Sequence, residues 1–148
     1  MKSAFSMIEL IFVIVALGIL SSVLIPRFIA TRDDAITVKI ATSIMSGAGE
    51  IASYAVAQGV TDTNLALMSE NINSLVNTEN AILSSGTVEI PFGNINDCVT
   101  IAVLSNATDE NLSITLGNSS GDSLCSSLHN IIDTKQYPMQ LRGSLVSH

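Results

Sequence analysis

Four side chains in the polar half of this chain could carry ligand or redox chemistry: Cys98, Cys125, His129 and His148. The two cysteines are the only ones among 148 residues. As a disulfide they would close a loop of about 28 residues, worth about 3–4 kcal/mol of chain entropy. An even cysteine count fits an oxidising compartment. Zinc is the competing chemistry, because Cys125 and His129 stand four apart on a potential helix. Zinc sites, however, usually carry tighter paired spacings. A disulfide is therefore favoured, and neither a metal nor a cofactor is expected. His129 and Asp133 come closest to an acid–base pair, and a surface contact accounts for them. The sequence has no Gly-x-Ser-x-Gly, no phosphate loop and no HExxH, so no enzymatic activity is expected.

Glu9 is the other chemically conspicuous residue. It is the only charged side chain between Lys2 and Arg27. A carboxylate within an apolar span costs roughly 2.5–3.5 kcal/mol on insertion scales, so something must offset it.

These groups need elements to hold them. Residues 10–29 are predominantly apolar, and about twenty such residues suffice for a helix to cross a bilayer. No small-x-small cleavage site follows the run, as a secretory signal would require. The plain alternatives are a transmembrane anchor and an atypical signal peptide. Helical periodicity continues through Ile29, Ile36, Ile40, Ile44, Ala48, Ile51 and Ala55, and Gln58-Gly59 supplies a stop. Pro26 should kink this helix without ending it. Gly18 and Ser22 form a small-xxx-small pair suited to close helix approach. The outer half lacks heptads with charged flanks, so a head domain rather than a coiled coil is expected to cover its stripe.

The segment Ala4-Phe5-Ser6-Met7-Ile8-Glu9-Leu10 resembles the processing site of type IV prepilins and type II secretion pseudopilins. That resemblance implies cleavage between Ala4 and Phe5, N-methylation of Phe5, and a docking role for Glu9. Gly18 and Pro26 stand where the family has a helix-loosening Gly and a kinking Pro. Two departures are Ala4, where the family usually has Gly, and Ser6, where Thr is common. After cleavage, Glu9 of one subunit could pair with the new Phe5 ammonium of a neighbour. Two unit charges about 4 Å apart attract by about 4 kcal/mol at an effective dielectric of 20. Buried pairs are often near neutral overall, so the pair would serve register more than stability.

The positive-inside rule weighs Lys2 against Arg27, Arg32 and Lys39 and, taken alone, favours a cytoplasmic C-terminus. The resemblance implies the opposite orientation, and the potential disulfide agrees with it.

In the head, Thr61-Asp62-Thr63-Asn64 is a capping cluster before a helix, or two short ones, reaching about Leu83. Ser84-Ser85-Gly86 breaks it. Strands are expected over residues 87–90, 98–104 and 112–116, with a further one over 139–146 and a short helix over 124–132. Asn111 heads a sequon with an acid two residues before it, which resembles the extended acceptor of some bacterial N-glycosylation systems. Asn106 and Asn118 head sequons without that acid, and chance accounts for all three. Pro91-Phe92-Gly93-Asn94 resembles a stretch of the major pseudopilins whose following loop binds calcium. With Asp122 the only acid in residues 117–122, a turn is the better reading.

Hydrophobic residues make up 47% of the chain and charged residues 13%, with a net charge of −7. Six Lys and Arg give no cation cluster for phosphates, so nucleic acid is not an expected partner. The expected fold is α+β and pilin-like: a long N-terminal helix, half in the membrane and half amphipathic, packed on a small antiparallel sheet. The expected organisation is a leader at residues 1–4, a membrane and filament-core helix at 5–29, and the remaining helix with an extracytoplasmic head at 30–148. The resemblance implies a structural subunit of a pilus-like or secretion filament, held by a single pass in the bacterial inner membrane and then assembled in the periplasm or outside the cell. The implied partners are other copies, minor pilins or pseudopilins, a prepilin peptidase, an assembly ATPase with its platform, and a secretin. The alternative is a membrane-anchored binding module that never polymerises.

Overall fold

A computed structural model describes residues 6–105 and 109–142, apart from the side chains at positions 23, 26 and 29. Helix α1 spans Met7–Gln58. Helices α2 (Leu65–Met68) and α3 (Glu70–Asn77) follow, then strands β1 (Ile82–Ser84), β2 (Thr87–Phe92), β3 (Ile95–Ser105) and β4 (Glu110–Leu116), helix α4 (Ser123–Ile131) and strand β5 (Met139–Arg142). The chain divides into two compact units, Met1–Ile36 and Thr37–His148.

The first unit corrects the expected architecture. Among the described residues, no helix is long and apolar enough to cross a membrane. The uncharged part of the apolar run is also short. Only 17 residues separate Glu9 from Arg27, and at a 1.5 Å rise they reach about 25 Å, short of the ~30 Å hydrocarbon core. The expected pilin-like architecture with a membrane half is thus not what the described residues form. What stands is α+β content with a five-stranded antiparallel sheet.

Ser6 starts α1: its hydroxyl accepts the Glu9 N–H at 3.3 Å, and its carbonyl accepts the Leu10 N–H at 3.2 Å. Ser-x-x-Glu is the capping-box spacing, and an acid in the first turn suits the positive end of the helix dipole. Helical assignment continues through Gly18 and Pro26 without a break.

In the second unit, α1 buries Ile40, Ala41, Ile44, Ala48, Ile51 and Ala55. These positions recur every three or four residues, which places them on one stripe of the helix. Gly47 sits within that stripe, where an added Cβ would lie 2.7 Å from Ile72 Cδ1. A glycine there lets α3 approach α1 closely. The sheet is a simple meander, β1-β2-β3-β4-β5, antiparallel throughout. Val88 and Ile90 on β2, Val99 and Ile101 on β3, and Leu112 and Ile114 on β4 join the same core as the α1 stripe. Their two-residue spacing is the sheet's alternation.

Two turns and one strand irregularity are set by backbone chemistry. Gly93-Asn94 links β2 to β3 in a two-residue hairpin closed by the Phe92–Ile95 pair, with Gly93 at φ +66°. Pro91, which has no N–H to donate, falls where the β2–β3 register shifts, as proline in a strand requires. Gly86, at φ +72°, turns β1 into β2 and donates its N–H to Thr63 at 2.7 Å.

The helical expectation for residues 61–83 resolves into α2, α3 and then β1. Asn64 caps α2 through Ala66 N–H at 3.0 Å, and Ser69 caps α3 through Ile72 N–H at 3.1 Å. The expected strand over 139–146 is β5 as far as Arg142, and its remainder lies outside the described residues.

Glu50 joins α1 to α3. Its carboxylate accepts Ser69 Oγ at 2.6 Å, Asn71 Nδ2 at 2.6 Å and Asn71 N–H at 3.1 Å. The Ser69 hydroxyl is the main cause that holds its pKa below 4.5, against a desolvation that pushes the other way. A depressed folded pKa adds stability above the ordinary carboxylate value, which is lost as pH falls through the folded value. Glu50→Gln should thus cost about 1.5–3 kcal/mol at neutral pH and flatten the acid limb. Urea unfolding of both chains at pH 7 and pH 3 reads this directly, with the two curves converging at the lower pH.

Candidate functional site

Two places carry chemistry: the apolar start of α1 around Glu9, and a sulfur–imidazole cluster under α4.

Along residues 7–28 of α1, large apolar side chains are exposed on every face, among them Ile8 (77%), Phe12 (75%), Ile19 (66%) and Phe28 (71%). A helix apolar all round is normally a buried one. Glu9 is exposed in the first turn of this stretch. An added Cβ at Gly18 would meet no neighbour, so this glycine marks open surface in the single chain. The cleavage and methylation positions, Ala4 and Phe5, lie outside the described residues, as do Asn106 and His148.

The second site is built by β3, α4 and the turn before α4. Cys98 and Cys125 are both fully buried and joined as a disulfide, with Cα atoms 5.8 Å apart. Cys98 and Val99 are consecutive buried residues, so the alternation of β3 breaks at the residue bonded to α4. One turn after Cys125, half-buried His129 places Nε2 2.7 Å from the Cys98 carbonyl, 3.3 Å from Cys125 Sγ and 3.5 Å from Cys98 Sγ. The ligand atoms of the three side chains all lie within 4.8 Å of one another. Helix spacing predicts that Cys125 and His129 share a face. The disulfide brings Cys98, carried by β3, to that face. Asp133 turns elsewhere, accepting the Lys135 N–H at 3.0 Å.

Asp122 positions this cluster. It caps α4 through the Cys125 N–H at 2.9 Å and also accepts Asn94 N–H and Nδ2 at 3.2 and 3.1 Å. The Cys125 N–H is the main cause of its lowered pKa. Asp122 therefore bonds the β2–β3 turn and the helix start, which suits the turn expected at residues 91–94. A Cβ on Gly93 would collide with the same carboxylate.

Asn111 lies within β4 opposite Leu104 and Gln140, half-buried, rather than on a loop. Asn118 accepts the Ser120 N–H at 2.9 Å in an exposed turn. At the far end of β4, Glu110 is buried, with Arg142 Nη2 at 3.5 Å from Oε1. Among the described residues its Oε2 has no hydrogen-bond partner, and the residue borders a cavity of about 210 Å³ between residues 61–63, Gly86, Val103 and Ser105.

No protein-family model, no curated protein and no solved structure matches this chain.

Proposed function

We propose that this chain is the structural subunit of a pilin- or pseudopilin-type filament, cleaved between Ala4 and Phe5, methylated at Phe5 and polymerised through the start of α1. The observation that carries the proposal is the exposed apolar surface of residues 7–28 with Glu9 set in it. A patch of this extent on one chain marks an interaction surface. Copies of the same helix match it in length and chemistry. Burying one Ile, Leu or Phe side chain is worth about 1.5–3 kcal/mol, so lateral packing of these helices would drive assembly.

Within such a bundle each Glu9 needs a cation, and cleavage creates one at Phe5 of the neighbour. A subunit one step out of place leaves the carboxylate unpaired, so Glu9 sets register. The head is then filament surface, placed outside the cytoplasm where the Cys98–Cys125 bond persists. A prepilin peptidase, an assembly ATPase with its platform, a secretin and minor subunits are the partners this role requires.

Intact mass of the mature protein tests the processing step: the expected N-terminus is methylated Phe5. A chain that keeps residues 1–4 and stays monomeric is a non-polymerising binding module instead. Glu9→Ala should leave the head folded and weaken co-assembly with wild-type subunits by roughly tenfold or more, the equivalent of ~1.4 kcal/mol. Filaments of normal yield from that variant would remove the docking role.

A further inference from the structure

We propose that Cys98, Cys125 and His129, once the disulfide is reduced, form a zinc site with two thiolates, one imidazole and one open position. The site is independent of the filament reading. Tetrahedral zinc with Zn–S near 2.3 Å and Zn–N near 2.0–2.1 Å sets N···S edges of about 3.5 Å and an S···S edge of about 3.8 Å. The two N···S edges stand at 3.3 and 3.5 Å in the oxidised chain. Only the sulfur–sulfur edge must open, and Cα atoms 5.8 Å apart leave room for it by side-chain rotation.

The surroundings favour occupation. Both sulfurs are fully buried, and two thiolates neutralise a divalent ion there, so no net charge is left in the core. Sulfur ligands select zinc over calcium or magnesium. Coordination through Nε2 takes that nitrogen from the Cys98 carbonyl, but the carbonyl keeps the Gly117 N–H at 3.0 Å. The exchange therefore leaves no buried acceptor without a donor. Half-buried His129 admits solvent to the fourth position.

The chemistry balances with a phosphine as reductant. The disulfide takes two electrons and two protons to give two thiols, while phosphine and water give phosphine oxide. Zinc then displaces two protons as two Zn–S bonds form. The result is a pair of cysteines held in register by either a covalent bond or a metal, according to the redox state.

The test uses the purified full chain, reduced with a water-soluble phosphine and titrated with Co²⁺ as a spectroscopic probe. One Co²⁺ per chain should give sulfur-to-cobalt charge transfer and tetrahedral d–d absorption, which Zn²⁺ abolishes; the oxidised chain should give neither. His129→Ala should still form its disulfide yet bind Co²⁺ roughly tenfold or more weakly. Equal affinity in that variant, or no charge transfer in a reduced wild-type chain with native far-UV circular dichroism, overturns the proposal. If reduction itself removes the native spectrum, Zn²⁺ should restore it in the wild type and not in His129→Ala, and failure to restore it overturns the proposal equally.

Discussion

Ile51→Ala should lower the unfolding free energy by about 2–5 kcal/mol, whereas Ile14→Ala should change it by less than about 0.5 kcal/mol. Both residues belong to α1, and both substitutions delete the same atoms, but the environments differ. Ile51 has no exposed surface, while Ile14 is 58% exposed. Truncation of Ile51 leaves a cavity beneath the sheet and removes contacts that the core cannot regain by relaxing. Truncation of Ile14 removes apolar area that the single chain never buried, so under the proposed function its cost should appear in filament assembly. Urea unfolding of both variants, with slopes matching the wild type, checks the first half of the prediction, and sedimentable filament checks the second. Equal destabilisation by the two changes would mean that the start of α1 has a partner within its own chain.

Replacing Cys98 and Cys125 together by Ala should cost about 3–4 kcal/mol, the loop-closure entropy returned to the unfolded chain. The native arrangement around the cysteines should nonetheless survive. Asp122 still caps α4 and still holds the turn at Asn94, so that region keeps a non-covalent tether. A lower denaturation midpoint together with native near-UV and far-UV spectra is the expected outcome. Collapse to a spectrum without tertiary signal would show that the covalent bond, rather than the Asp122 network, organises that side of the head. Ala is the informative replacement, since Ser at either fully buried position would add an unsatisfied hydroxyl.

Much of the head was legible because its signals are local. The Ile40–Ala55 stripe, the Asn64 cap and the strands around Val88, Ile101 and Leu112 each follow from a short stretch of residues. Strand β1 was not legible. Leu75, Val76, Ile82 and Leu83 continue an apolar spacing that a helix could use, and β1 exists only because β2 folds back on it at Gly86. Gly47 was missed for a related reason: its role depends on Ile72 arriving from another helix, so composition alone gives no cue. At the N-terminus the apolar run was overextended. Residues 10–29 look continuous by hydropathy, but the stretch between Glu9 and Arg27 is only 17 residues, at the short end of what a crossing uses. At the sulfur cluster, Cys125 and His129 are legible as a helical pair and Cys98 as the disulfide partner, while the contact of His129 with the Cys98 carbonyl depends on how β3 meets α4. The Ser6 cap is encoded locally by Ser-x-x-Glu.

Arg142 donates to the Gly59 carbonyl at 2.6 Å while it faces Glu110. It thereby joins the last described strand to the residue that ends α1, across 83 positions of sequence. The meander itself is assembled from neighbours, since every strand bonds only to the strands next to it in the chain. Such hairpins can close early, whereas a tie across this distance must wait for the whole head to be made. The clasp is thus a checkpoint on completeness: a chain interrupted before β5 leaves the Gly59 carbonyl and the buried Glu110 without their shared cation.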